Sequence, residues 1–348
     1  MSLAQRETDV LSTIIESYIT TALPVGSRTV ANTSRLKLSA ASMRNTMADL
    51  TDKGYLEQPH TSAGRIPTAK AFRLYVDSLL RMRPVSRDER DSILNHMTLQ
   101  GLEISQMLQQ ATALVSSLSH EVALVLAPGG NDVRWRRVDF SLVADRLVLA
   151  VLVLDGGIIR NRVVRLDEKV SADDLIHFGN YLNSHYTGLT LSEARSRILN
   201  ELHRTGAHLE ELCARALGLA RLAFSGEAEA ERQLFVEGTL TMLDKAEFTD
   251  SARMRELLAL LDERTRLLKL LNNTMRSADV SVSIAPDMPE AENSFAGLSV
   301  ISAPYGGETP LGVVSVIGPL RMDYGTIVPV VDCISKSLST LLKDRFSA

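Results

Sequence analysis

SAASMRNTMADLTDKGYLEQPHTSAGRIPT, residues 39–68, changes character within one short span. Ser39 supplies an N-cap oxygen for a helix that runs to Gly54, where a residue without a Cβ can take the left-handed conformation. At about 100° per residue, Ala40, Met43, Met47 and Leu50 fall on one stripe of that helix, and Ala41, Ser42, Asn45, Asp49 and Asp52 fall opposite. One face packs and the other looks out, with Arg44 on the flank between them. YLEQ and the residues after the loop then read as two short strands around PHTSAGRIPT, a loop bracketed by Pro59 and Pro67.

Upstream, Val10 and Ile14 recur at helical spacing in Gln5–Thr20, and LPVGS breaks that helix through Pro24 and Gly26. Ser27 caps a second helix that runs through about Ser34, and RLKL makes the turn into the third. Downstream, TAKAFRLYVDSLL predicts a fourth amphipathic helix that packs Phe72, Tyr75 or Val76, and Leu79. Three helices followed by a hairpin make a winged helix-turn-helix, with PHTSAGRIPT as its wing. From Ser27 to Arg73 there are eight basic residues against three acidic ones, in a chain whose formal net charge is −4. Such local positive charge points to an anionic partner at this end.

Duplex DNA supplies the matching chemistry. Surface cations gain affinity from the phosphates without reading sequence, which suits Arg28, Arg35, Lys37 and Lys53. Arg can bond guanine bidentately and Asn can bond adenine, so Arg44 and Asn45 are the base-reading candidates. Ser39 and Ser42, at the helix entry, are placed for phosphate or base. In the wing, Ser62, Ala63 and Gly64 permit close backbone approach, Arg65 can enter the minor groove or hold a phosphate, and His60 and Thr61 add hydrogen bonds. The bland alternatives are an Arg44–Asp49 ion pair, a solvated Asn45 or Arg65, and a His60 that only braces the loop.

A chain of 348 residues suggests two or three domains. RMRPVSRDE reads as a linker. Beyond it Met97, Ile104, Ala111 and Leu118 recur every seven residues, as a long helix packing on a partner helix would require. EVALVLAP, WRRVDFSLV, RLVLAVLVLD and IIRNRVVRL are strands of an antiparallel sheet, with a tight turn at residues 155–157. Helical patterns fill residues 171–276. Strands return in DVSVSIAP, GLSVISAPY and LGVVSVIGP, and a helix closes the chain. The economical organisation is a multidomain α+β protein: a head at 1–83, an antiparallel α+β domain from 84–171 and 277–348, and a mainly helical insert at 172–276. Within the insert, the Leu-rich helix bearing Leu257, Leu261 and Leu268 is either a dimer interface or an ordinary core helix.

Function classes can also be set aside. APGG, LDGG and PYGGE lack phosphate-loop or dinucleotide spacing and read as turns. The seven histidines show no metal-ligand spacing, and Cys213 and Cys333 form no framework, so neither catalysis, a metal nor a cofactor is expected. No apolar run of about 18 residues and no signal-peptide core are evident, so a cytoplasmic location is expected.

Residues 24–77, PVGSRTVANTSRLKLSAASMRNTMADLTDKGYLEQPHTSAGRIPTAKAFRLYVD, resemble the N-terminal signature of the heat-inducible transcription repressor HrcA family. LNSHYTGLTL at 182–191, FVEGTLTMLDKAEF at 235–248 and VIGPLRMDYGTIVPVV at 316–331 resemble further segments, so the likeness covers nearly the whole chain. The resemblance implies a winged helix, a GAF-like domain and an inserted dimerising domain. It also implies a dimeric repressor of class I heat-shock operons, bound to an inverted-repeat operator of the CIRCE type, released by heat and kept competent by the chaperonin GroEL. Thr46 and Thr51 stand where that pattern suggests acidic residues, and Ala71 and Phe72 replace a Gly and a Tyr. A small-molecule-responsive winged-helix regulator, with the GAF-like domain as sensor, and a DNA-free scaffold are the alternatives.

Overall fold

The structure is a computed structural model that describes residues 3–33, 39–60, 63–80, 82–97, 104–129, 133–155, 159–204, 211–224, 232–248, 251–275, 277, 279–284, 297–306 and 310–347. Its N-terminal head contains α1 (Gln5–Thr21), α2 (Ser27–Thr33) and α3 (Ala40–Asp52), then strands β1 (Leu56–Glu57) and β2 (Ile66–Pro67). Val10, Leu11, Ile14 and Ile15 of α1 meet Val30 of α2 and Met43, Met47 and Leu50 of α3 in a buried core. Ser39 caps α3 as expected, its hydroxyl accepting from the Ser42 amide at 3.2 Å, and Gly54 takes φ +76°. Thr68 likewise caps α4 (Ala69–Leu74), which continues into one π-helical turn, Tyr75–Leu79.

The body is built on an antiparallel five-stranded sheet of order β7-β3-β10-β9-β8. Its strands are β3 (Val122–Leu126), β7 (Leu234–Glu237), β8 (Ser281–Ile284), β9 (Leu298–Tyr305) and β10 (Gly312–Pro319). Alternation divides each strand between two cores. Ala123, Val125, Ile301, Ala303, Val314 and Val316 face α6 (Ile104–Ser119) and α12 (Tyr324–Ser347), in a core continuous with that of the head. Val122, Leu124, Leu126, Val300, Val313 and Ile317 face α10 (Ser251–Asp262) and α11 (Arg264–Thr274).

The packing groups the chain differently from the expected insert at 172–276. β4 (Trp135–Ala144), β5 (Leu147–Leu154) and β6 (Ile159–Arg165) do not join the larger sheet; they form their own three-stranded sheet. That sheet packs on α7 (Ala172–Tyr186), α8 (Leu191–Arg204) and α9 (Glu211–Phe224) around a separate core running from Val133 to Ala223. The hairpin pattern of β4–β6 was legible, but a local pattern does not say which sheet a hairpin joins. The Leu-rich segment belongs to the larger sheet instead: Leu257 is buried there with Leu260, Leu267 and Leu271, and Leu261 and Leu268 are half-buried against the same core. These leucines are satisfied within the chain. Most of the seven-residue repeat also has an internal explanation: Met97, Ile104 and Ala111 are buried in the core that α6 shares with the sheet and α12, whereas Leu118 is exposed. The tight turn at 155–157 falls largely outside the described residues.

Several contacts among the described residues tie head to body. Phe72 packs between Tyr18 of α1 and Tyr324 of α12, with ring centroids 6.4 and 6.3 Å away. The Arg73 guanidinium donates to the Val282 carbonyl at 3.0 Å. Another depends on Pro329 inside α12. Proline has no N–H, so the Gly325 carbonyl four residues earlier lacks its helical donor. That carbonyl instead accepts the Arg83 amide at 2.9 Å, which anchors the expected linker. α12 is long and apolar enough to cross a bilayer, contrary to the sequence expectation, but Tyr324, Ile327, Val331, Ile334, Leu338 and Leu342 are buried in the protein core.

Beneath this junction lies a charged cluster. Lys245 pairs with buried Glu121, and Arg321 pairs with Glu247 while donating to the Ile19 carbonyl of α1 at 3.4 Å. Burial pushes the Glu121 carboxyl up to about 7, with Lys245 opposing the shift. A carboxyl raised on folding adds stability below its unfolded value near 4.5, and that contribution is lost as pH rises through about 7. Between about pH 5 and pH 8, urea unfolding should therefore show the wild type losing up to ~3 kcal/mol relative to Glu121→Gln. A constant difference between the two proteins would remove this account of Glu121.

Candidate nucleic-acid interface

The outer face of α3 is assembled as its spacing requires. Ala41, Arg44, Asn45, Ala48, Asp49 and Asp52 are exposed, and Met43, Thr46, Met47 and Leu50 are buried. Small residues at 41 and 48 leave the helix backbone close to the surface, and Arg44 and Asn45 project from it. Among the described residues neither Arg44 nor Arg28, which is exposed on α2, is held by a carboxylate. The Arg44–Asp49 pair does not form.

Other sequence candidates are occupied. Ser39 is committed to the cap of α3. Lys53 bonds both oxygens of Glu7 at 2.6 and 2.7 Å, which holds the Glu7 carboxyl below its ordinary value and ties the end of α3 to α1. Ser42 is half-buried, and its hydroxyl accepts from Arg6 at 2.8 Å. Arg35, Lys37, Thr61 and Ser62 lie outside the described residues.

The hairpin is fastened at its base. β1 and β2 pair antiparallel, and Val25 and Arg65 exchange two backbone hydrogen bonds of 2.9 Å, adding the turn before α2 as a third edge. Arg65 is thus at the root of the hairpin, where its Nε donates to Thr51 Oγ1 at 3.0 Å. Gln58 braces the loop by donating to the Ala63 carbonyl at 3.1 Å. His60 is exposed, and its ring has no hydrogen-bond partner among the described residues.

Sequence reading missed Arg6. Its Nη2 donates to the Ser42 carbonyl and hydroxyl at 3.0 and 2.8 Å and to Thr46 Oγ1 at 2.8 Å. The only sequence signal was its place one turn before the buried run of α1. Thr46 and Thr51, the departures from the family pattern, therefore act alike, each offering a hydroxyl to an arginine.

A short, small-faced helix bearing uncommitted Arg and Asn side chains, on the basic end of an otherwise acidic chain, is the equipment of a DNA-binding transcription regulator. A family model described as the HrcA protein C terminal domain matches residues 105–328. A heat-inducible transcription repressor HrcA from Nitratidesulfovibrio vulgaris strain Miyazaki F is 57% identical, covering 100% of this chain and 98% of its own. That of Geobacter sulfurreducens is 40% identical, covering 98% of each. One solved structure, described as a hypothetical protein at 2.2 Å resolution, shares the fold with a TM-score of 0.60 and 22% identity, over 99% of this chain and 98% of that one. The chain belongs to the HrcA family of heat-inducible transcription repressors: it is a negative regulator of heat-shock genes and not an enzyme.

Gly64 gives the hairpin root a specific weakness. A Cβ there would lie 2.5 Å from the carbonyl carbon and oxygen of Val25, where backbone must move to admit it. Gly64→Ala should cost about 1–3 kcal/mol of stability and lower duplex affinity. Thermal melting beside a mobility-shift titration checks this, and a wild-type melting temperature would show that the root tolerates the methyl group.

Proposed function

We propose that the head is a winged helix that reads an inverted-repeat operator with α3, and that the protein represses class I heat-shock operons as a cytoplasmic dimer that releases on heating. The exposed Ala41, Arg44, Asn45 and Ala48 face carries this reading, since it combines close approach with two base-reading side chains. Arg28 adds a phosphate contact from α2, and His60, Thr61 and Ser62 bring the wing against the neighbouring groove. The five-stranded sheet with its flanking helices is the GAF-like part. Both of its faces are covered by helices and filled with aliphatic side chains, which favours a scaffold over a small-molecule sensor. The part of the chaperonin GroEL rests on the family resemblance alone.

An inverted repeat requires two heads at a fixed spacing. With Leu257 buried in its own core, the surface that best supports pairing is the open face of the three-stranded sheet. There the registers Leu149–Val163 and Val153–Ile159 line up an apolar stripe with Val151. Ile159 and Val163 are 65% and 56% exposed. On this reading Val163→Asp converts dimer to monomer in sedimentation, whereas Leu261→Asp acts mainly by lowering stability. A monomer from Leu261→Asp together with an intact Val163→Asp dimer would reverse the assignment.

Footprinting on the promoter of the chain's own chaperone operon tests the operator itself. Wild type should protect both arms of an inverted repeat, and Arg44→Ala and Asn45→Ala should each cost about 1–3 kcal/mol of discrimination at their base pairs. Absence of a protected repeat would refute the reading.

A further inference from the structure

Arg6 and Arg65 come from distant parts of the chain, yet both lean on α3. Arg6 is held by Ser42 and Thr46, and Arg65 by Thr51. At about 100° per residue, Thr51 lies about 140° around the helix from Thr46 and about 180° from Ser42. The exposed residues Ala41, Asn45 and Ala48 sit between these two flanks. The arginines therefore stand on opposite sides of the outer face of α3.

The acceptors they use are all neutral. Thr46 donates its own hydroxyl proton to the Ser42 carbonyl at 3.2 Å, which turns its oxygen lone pairs toward Arg6. A hydroxyl or carbonyl fixes the direction of a guanidinium without cancelling its charge, whereas a carboxylate would do both. Lys53 shows the contrast on the same surface, since Glu7 neutralises it. Arg6 is exposed and uses only Nη2, so Nη1 and Nε remain as an outward donor edge among the described residues. A helix lying in the major groove is bordered by a phosphate backbone on each side.

Resting on the winged-helix reading above, we propose that Arg6 and Arg65 are paired phosphate clamps, one for each DNA strand bordering the groove occupied by α3, and that Thr46 and Thr51 keep them aimed and charged. Arg6 thereby reports the seating of α3 directly, because the residues that hold it are the neighbours of Ala41 and Asn45.

Salt-dependent titration of the full-length protein on operator and on non-specific duplex, with phosphate ethylation interference on the operator, tests the pair. Arg6→Gln keeps amide donors for Ser42 and Thr46 but removes the charge. It should reduce the slope of log affinity against log salt by about one on both duplexes and lose interference on one strand of each half-site. Arg65→Gln should do the same on the opposite strand, and the double variant should lose about two. Thr46→Glu should reproduce the Arg6→Gln slope with Arg6 in place, and decides the matter if Arg6→Gln melts early. Folded variants with wild-type slopes, or both arginines mapping to one strand, would overturn the clamp while leaving the operator reading intact. A wild type that binds duplex without a protected repeat would refute the operator reading instead, and the slopes on non-specific duplex would still judge the clamps.

Discussion

Phe72 is the point on which the arrangement of the molecule depends. It is buried, it touches Tyr18 in the helix that supports α3, and it touches Tyr324 at the start of the last helix of the body. Tilted aromatic pairs at such distances add modest directional attraction to the area they bury. A tyrosine at 72 would bring a hydroxyl into this packed seam, where it would need a partner. Because Phe72 belongs to the head and Tyr324 to the body, the two parts share one continuous apolar core. The exposed face of α3 is thereby held relative to the sheet by packing as well as by the Arg73 and Arg83 hydrogen bonds.

The head was legible in sequence because its determinants are local. Ser39 is a cap whose partner lies three residues away, the apolar stripe of α3 repeats at helical spacing, and Gly54 ends that helix through its own backbone angle. The strands were legible for the same reason. Their assignment to two sheets was not, because β3 and β10 pair across nearly two hundred residues and nothing in β4 announces that it avoids them. β7 was hidden inside a helical stretch, being only four residues long. The Leu-rich segment stayed open between two readings for a related cause: a leucine stripe specifies that a face will be covered but not by what, and here Leu257, Leu267 and Leu271 are covered by the chain's own sheet.

The interface shows the same division. Arg44 and Asn45 could be picked from the outer face of one helix, and the structure leaves both exposed. Ser39 is consumed by the cap that sequence already assigned to it, whereas Lys53, a phosphate candidate in sequence, is consumed by Glu7, 46 residues away, where no linear reading would look. Arg6 was overlooked for the converse reason, since its partners lie 36 and 40 residues downstream. Long-range polar contacts decide which cations stay available, and they carry no periodic signature.

Sharing a core has a further consequence for a repressor that responds to heat. When a reading domain hangs from a sensor by a tether, the sensor must transmit its state through that tether. Here the covalent path from head to body is pinned where Pro329 leaves the Gly325 carbonyl open to Arg83, and the apolar path runs through Phe72. Packing lost on the body side of that shared core is therefore also packing lost beneath α3.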